Sequence, residues 1–405
     1  MRKARKRGRR AGAGPLGDVT RNQHMNLRHL AVAAAIALQV GASAAWAEVK
    51  IGIDVPLTGF AAADGKSALE GAKLAVAHAN ARGGVNGEKI ALVVYDDQAS
   101  PKEAASAATR LIEKDKVVAG VCGSYSAAAR AAAPLFQAAK VPYVVAYSIH
   151  PDVTLAGDYV FRTATMGEVQ GRAGAKLSSD LGKKKVVLIT LKNDFGQALA
   201  TGYKEAAPKF GIKIVNEYEY SMPDRQFGAL ISKVKSDNPE LIYASGYYFT
   251  AGPLINQLRA AGVSVPVIGQ EGYDSEKFIE IAGAAAEGTL VTTSLDRDSA
   301  SPVTATFLKE FRAATGAGAD MVAASTYTAT GIAIEGLKKT GGKGGEALKK
   351  AIEAGTFTTP IGAISFNDLH EVKKDVQVQI VKGKAFHRHS VISDPVVLAP
   401  PTKAK

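Results

Sequence analysis

A single cysteine, Cys122, in 405 residues excludes any intrachain disulfide, so an apolar core must hold the fold. Cys122 closes an apolar run behind Val121, a position suited to buried packing. The chain also lacks the signatures of nucleotide and hydrolytic chemistry. No G-x-G-x-x-G follows a strand, no G-x-x-x-x-G-K-[ST] occurs, and no G-x-S-x-G elbow is present. Gly123-Ser124-Tyr125-Ser126 comes nearest to an elbow but lacks the final glycine. The glycine cluster at 341–345 lies between helical segments and reads as a flexible loop. Metal chemistry is equally unsupported, because His370-Glu371 has no second histidine at helical spacing and His387-x-His389 falls near an expected frayed C-terminal end.

An excess of one charge sign is missing too, once the amino terminus is set apart. Residues 1–47 hold nine of the 50 Lys and Arg residues and one of the 38 acids, leaving 41 basic and 37 acidic residues. That balance removes the motive for a nucleic-acid partner. From Met25 the leader runs through Arg28 and His29 into an apolar segment at 30–40, then to Ala45-Trp46-Ala47. This order is a secretory signal peptide with cleavage expected after Ala47. The apolar segment is about a dozen residues where a spanning helix needs roughly twenty. The basic stretch before Met25 reads as an upstream start or an extended n-region, Met25 being the expected start. No Leu-x-Gly-Cys lipid anchor follows.

After Glu48 short β-branched runs alternate with amphipathic stretches, the pattern of parallel β/α units. Strands are expected at 49–55, 90–95, 117–121 and 143–146, with helices from 64, at 101–113 and at 126–139. A second series has strands at 185–191, 213–220, 241–245 and 266–268, and helices at 168–181, 196–210, 226–236 and 251–261. Helices at 302–314 and 323–339, a short third helix, and strands at 361–366 and 376–381 complete the chain. The expected fold class is α/β, two doubly wound parallel-sheet lobes. The expected division is 48–163 plus 298–367 for the first lobe and 164–297 plus 368–395 for the second, with a tail at 396–405. Three crossings, near 162–165, 294–298 and 367–373, would form a hinge.

Open α/β sheets bind ligands beyond the carboxyl ends of their strands. There the first series carries Gly123-Ser124-Tyr125-Ser126 and Tyr147-Ser148-Ile149-His150. Ser124 or Ser126 would serve as an N-cap, and the same helix start would receive a ligand carboxylate. The second series carries Asn193-Asp194-Phe195-Gly196, Gly246-Tyr247-Tyr248-Phe249 and Gly269-Gln270-Glu271-Gly272. Glu271 pairs with an ammonium group or remains a solvated loop glutamate; the aromatics form a ligand wall or plain packing.

With these residues assembled, the chain resembles the branched-chain amino-acid binding family of type I periplasmic solute-binding proteins that serve ABC importers. The resemblance rests on Ile51-Gly52-Ile53 before Pro56-Leu57-Thr58-Gly59, on Asn80-Ala81-Arg82-Gly83-Gly84-Val85-Asn86-Gly87, on Tyr95-Asp96-Asp97, and on Ala286-Glu287-Gly288. It implies a two-lobed clamp in which Ser124 and Ser148 hold the ligand's α-carboxylate and Glu271 its ammonium. Phe195, Tyr247 and Tyr327 match aromatics near the cleft. It further implies a monomer in the periplasm, with no cofactor, no metal and no catalysis, whose partners are a small amino acid and the permease. Phe195 stands where a tyrosine is common, and Tyr147 and His150 bear on pocket size. Leucine, isoleucine or valine is the expected ligand, with an amide, urea or aromatic acid in the same clamp as the alternative. A secreted α/β hydrolase is the remote one, lacking a nucleophile and base.

Overall fold

The structure, a computed structural model, describes residues 48–403, so the expected signal peptide and cleavage site lie outside the described residues. The first sheet comprises β1 (Val49–Val55), β2 (Ile90–Asp96), β3 (Ala119–Cys122), β4 (Tyr143–Val145) and β5 (Val160–Arg162), all parallel in the order β2-β1-β3-β4-β5. Between them run α1 (Ala62–Ala81), α2 (Pro101–Thr109), α3 (Ser126–Ala139) and α4 (Asp152–Leu155). Every β1 residue except Lys50 is buried, as expected of a strand covered on both faces by helices. The core face of α1 is built from small residues, Ala68, Gly71, Ala72, Ala75 and Ala79. A Cβ at Gly71 would lie 2.3 Å from the Ala323 carbonyl oxygen, so glycine there allows two helix backbones to touch.

The second series repeats the winding. α5 (Gly167–Asp180), β6 (Lys185–Leu191), α6 (Asp194–Ala206), β7 (Lys213–Tyr220), α7 (Gly228–Asp237), β8 (Leu241–Ala244), α8 (Tyr248–Ala260), β9 (Val267–Gln270), α9 (Glu276–Ala282) and β10 (Leu290–Thr293) follow in turn. Its parallel strands stand in the order β7-β6-β8-β9-β10, the same switch-back as the first sheet. Each sheet therefore has a switch point, β1/β3 in one and β6/β8 in the other, where diverging loops leave a crevice at the strand ends.

From α10 (Pro302–Thr315) and α11 (Met321–Thr340) the chain packs back on α1, followed by α12 (Gly345–Glu353) and a small hairpin, β11 (Phe357–Thr359) and β12 (Gly362–Ile364). The expected strand at 361–366 is thus the shorter β12, and its hairpin partner β11 precedes the expected range. Pro360 and Ile361 form the turn, and Gly362 takes φ +102°. β13 (Val376–Lys382) then extends the second sheet antiparallel to β10, and β14 (Ala385–Ile392) pairs antiparallel with β13 at its edge. His387 and His389 sit on β14, an ordered edge strand rather than a frayed end. Gly383 and Lys384, both at positive φ, make the two-residue turn that sets it there.

The chain crosses between the sheets three times, after β5, after β10 and after β12. Two crossings are joined by the buried pair Arg162 and Glu371, whose side chains are 0% and 1% exposed. Arg162 Nε donates to Glu371 Oε2 at 3.0 Å, and its Nη1 donates to the carbonyls of Ser148 (3.2 Å) and His150 (2.7 Å). Thr154 donates its hydroxyl to the same carboxylate. Removing one partner leaves an uncompensated buried charge, which costs about 3–5 kcal/mol. Urea unfolding of Glu371→Ala is expected to show a loss of that order, and a loss under about 1 kcal/mol would contradict the role assigned to the pair.

Candidate functional site

The loops beyond the strand ends of both sheets meet around one narrow cavity. Its walls include Asp64, Tyr125, Ser126 and Tyr147 from the first series, Phe195, Tyr247, Glu271 and Asp274 from the second, and Met321 and Val322 from α11.

At the first switch point Gly123 packs beneath Val55, where a Cβ would lie 2.7 Å from Val55 Cγ1. The chain stays extended through Tyr125, and α3 begins at Ser126. The N-cap residue is Tyr125, without a side-chain capping bond, so neither Ser124 nor Ser126 caps the helix. The first turn of α3 thus has no side-chain cap, and Ser126, where it begins, lines the cavity; uncapped N–H groups and the helix dipole suit an anion. Ser148 Oγ donates to the Ser124 carbonyl at 2.6 Å, and the Ile149 N–H donates to Ser126 Oγ at 3.2 Å. These bonds knit the two rim loops together. Ser124 and Ser148 are both buried and neither lines the cavity; Ser124 Oγ has no hydrogen-bond partner among the described residues.

Across the cavity Asn193 caps α6 by accepting from the Gly196 N–H at 2.9 Å, which orients Phe195 inward. Tyr247 precedes α8, and its ring stacks on Tyr125 with centroids 4.3 Å apart and planes 3° from parallel. Phe195 stacks on the same ring at 4.8 Å. Tyr147 also lines the cavity and donates its hydroxyl to the Gly123 carbonyl, so it narrows the space from a fixed position. Contacts between the two series continue at the rim, where Arg130 of α3 bonds Asp194 at 2.5 Å and Phe60 meets Phe249.

Three carboxylates reach this cavity. Asp274 is neutralised by Arg297 and accepts from Thr293. Asp64 accepts the Tyr125 hydroxyl at 2.7 Å, and burial pushes its carboxyl up to about 7, the nearby Asp320 adding to the effect. Glu271 is 3% exposed, and neither of its carboxylate oxygens has a hydrogen-bond partner among the described residues. Burial raises its carboxyl above the ordinary range, partly opposed by Gln170 and Lys374, and burial lowers the Lys374 ammonium in turn. Lys374 does not line the cavity.

Of the expected residues, Phe195, Tyr247 and Glu271 are brought together. Ser124 and Ser148 stand behind the rim. Tyr327 is elsewhere: its hydroxyl bonds His78 Nδ1 at 3.0 Å and its ring packs on Phe307, beside a separate groove with Arg82 and Val303. Asp64, Tyr125 and Met321 were not singled out from the sequence. An acid in the first turn of a helix just after the first strand was the available sign for Asp64.

A family profile described as periplasmic binding protein matches residues 48–385. The leucine-, isoleucine-, valine-, threonine- and alanine-binding protein of Pseudomonas aeruginosa is 30% identical over 353 residues, covering 86% of this chain and 93% of that protein. A leucine binding protein from Thermotoga maritima superposes with a TM-score of 0.79 at 30% identity, over 85% of this chain and 99% of that one. The branched-chain amino acid transporter substrate binding protein of Streptococcus pneumoniae, solved with isoleucine, gives 0.81 at 28% identity, over 85% and 99%.

The raised Asp64 carboxyl carries a pH consequence of definite sign. Its folded pKa lies above the unfolded value, so its stabilising protonation is fully present below about pH 4 and is lost as pH rises through about 7. Asp64→Asn keeps an acceptor for Tyr125 and has no such loss. Thermal or urea unfolding is expected to show the variant gaining on the parent between pH 5 and pH 8, by on the order of 2 kcal/mol. A pH-independent difference would contradict this assignment.

Proposed function

The chain belongs to the periplasmic binding protein family, and on that premise we propose that it is the substrate-binding protein of an ABC importer that captures a branched-chain amino acid by lobe closure and delivers it to the membrane permease. Hinge closure around a ligand is the general behaviour for which periplasmic binding proteins serve as a standard example. The observation that carries the amino-acid reading is Glu271, a buried carboxylate whose two oxygens have no hydrogen-bond partner among the described residues, in a cavity whose wall also includes Ser126 at the start of α3. One end of that arrangement suits an ammonium group and the other a carboxylate, so a zwitterion satisfies both.

In this reading the ligand docks on the first lobe, 48–163 plus 298–367, its carboxylate at the N–H groups beginning at Ser126. Ser124 and Ser148 act by fixing the loops that present those groups. The second lobe, 164–297 plus 368–395, then closes and brings Glu271 to the ammonium and Phe195 and Tyr247 to the side chain. The leucine- and isoleucine-related names of the relatives support a branched aliphatic side chain against these rings. An aromatic acid has no ammonium to offer Glu271. The protein would act without catalysis, as a monomer in the periplasm, exported by the signal peptide within 25–47. The closed surface would be what the permease recognises.

Titration calorimetry of the mature chain with the twenty amino acids tests the reading, with leucine, isoleucine and valine expected among the ligands. Glu271→Gln is expected to weaken leucine roughly tenfold to a hundredfold, each factor of ten corresponding to about 1.4 kcal/mol. Unchanged affinity in that variant would remove the amino-acid assignment.

A further inference from the structure

Helix α3 carries one arginine at the rim between the two sheets, and its guanidinium is shared between them. Arg130 Nη2 donates to Asp152 Oδ2 at 2.8 Å, and its Nη1 donates to Asp194 Oδ2 at 2.5 Å. Asp152 begins α4 in the first series, whereas Asp194 begins α6 in the second. No lysine or other arginine pairs with either carboxylate among the described residues. His150 Nδ1 lies 3.8 Å from Asp152 but accepts the Asp152 N–H, and burial together with Arg130 holds the imidazole below its usual range, so it is no second cation for this acid. Neither Arg130 nor Asp194 lines the ligand cavity.

Asp152 holds the guanidinium on its own side of the rim, which orients the planar fork before Asp194 meets it. Little side-chain freedom is then lost when Nη1 takes up the second acid. Two aromatic contacts run in the same sense. Tyr125, the N-cap of the same helix, stacks on Tyr247 with centroids 4.3 Å apart, and Phe60 meets Phe249 edge to face at 5.7 Å. Each of the three contacts joins a side chain of the first series directly to one of the second. We propose that Arg130 is a positioning residue of the clamp: anchored by Asp152, it latches onto Asp194 and holds the second lobe on the first before and after a ligand enters. The inference rests on the lobe-closure reading and assigns the residue that sets how long the clamp stays shut. The side chains of the pair are 38% and 34% exposed, so solvent screening keeps its contribution modest.

The latch is tested without a ligand. Lys102→Cys and Lys209→Cys, both at exposed positions and one in each lobe, take a donor and an acceptor dye on the mature chain, Cys122 being buried. Single-molecule energy transfer then reads the ratio of closed to open molecules. Arg130→Gln and Asp194→Asn are each expected to lower that ratio roughly twofold to fivefold, the range an exposed ion pair supports, and the double variant is expected to match the single ones. Raising salt from about 0.05 M to about 0.5 M is expected to lower the ratio in the wild type and not in the variants. With leucine bound, the same variants are expected to release it roughly twofold to fivefold faster. Circular dichroism establishes that each variant is folded; if one is not, the other and the wild type's salt response carry the comparison. An unchanged ratio in the folded variants would overturn the inference, as would a double variant whose loss is the product of the two single losses. If no amino acid binds while the ligand-free ratio falls as expected, the latch stands and the amino-acid reading is the one removed.

Discussion

Burying a carboxylate with neither oxygen hydrogen-bonded is destabilising by several kcal/mol, and folded chains keep such a group only where something else supplies the partner. Glu271, at the end of β9 and lining the cavity, has no hydrogen bond on either oxygen among the described residues, and the nearby Gln170 and the buried Lys374 ammonium favour its charged form. The surrounding structure makes sense as the means of holding it there. The 3₁₀ turn at Glu271–Tyr273 follows directly from the strand, and Gly272 is required because a Cβ there would lie 2.2 Å from the Gly246 carbonyl oxygen. Tyr125, Tyr147, Phe195 and Tyr247 give the cavity aromatic walls. Water exclusion strengthens any charge pairing made in the cavity and makes a ligand with only one of the two charges a poor fit.

The two sheets supply the geometry by repeating one winding. Because both run in the same switch-back order, their crevices lie at corresponding strand ends, and closing one sheet's loops on the other's encloses a single space. The hinge keeps the crevices in register. Arg162 ties the first crossing to the third through Glu371 and, with the same guanidinium, holds the carbonyls of Ser148 and His150. Movement at the hinge and the position of the ligand-facing loop are thus coupled through one buried side chain. That coupling places a fold-stabilising ion pair directly in the path from closure to binding.

The strand and helix alternation was readable because its physical cause is local. Helix α3 was expected at the residues where it occurs, and β6 likewise, since alanine-rich periodicity and a β-branched run carry their own signals. Two short strands were missed, β5 and β10, three and four residues long, whereas the equally short β4 was read from its β-branched run. β14 was missed because a polar, histidine-bearing edge strand looks like a tail until its turn is recognised. At the site, Glu271, Phe195 and Tyr247 were legible from their places after strands. Ser124 and Ser148 were legible as rim residues, but both are buried behind the rim, where Ser148 Oγ bonds the Ser124 carbonyl. Tyr327 follows from helix phase: Met321 and Val322 of α11 face the cavity, whereas Tyr327, further along the helix, faces another groove. Asp64 acquires its meaning only from Tyr125, 61 residues away in sequence.

The central claim is that one zwitterion satisfies both ends of the cavity. Titration calorimetry with leucine and its two truncated forms, 4-methylpentanoate without the ammonium and 3-methylbutylamine without the carboxylate, addresses it most directly. The account predicts that leucine binds and that each truncated ligand binds at least a hundredfold more weakly, because either loss leaves a desolvated group without its partner. Binding of 4-methylpentanoate with an affinity equal to that of leucine would contradict it.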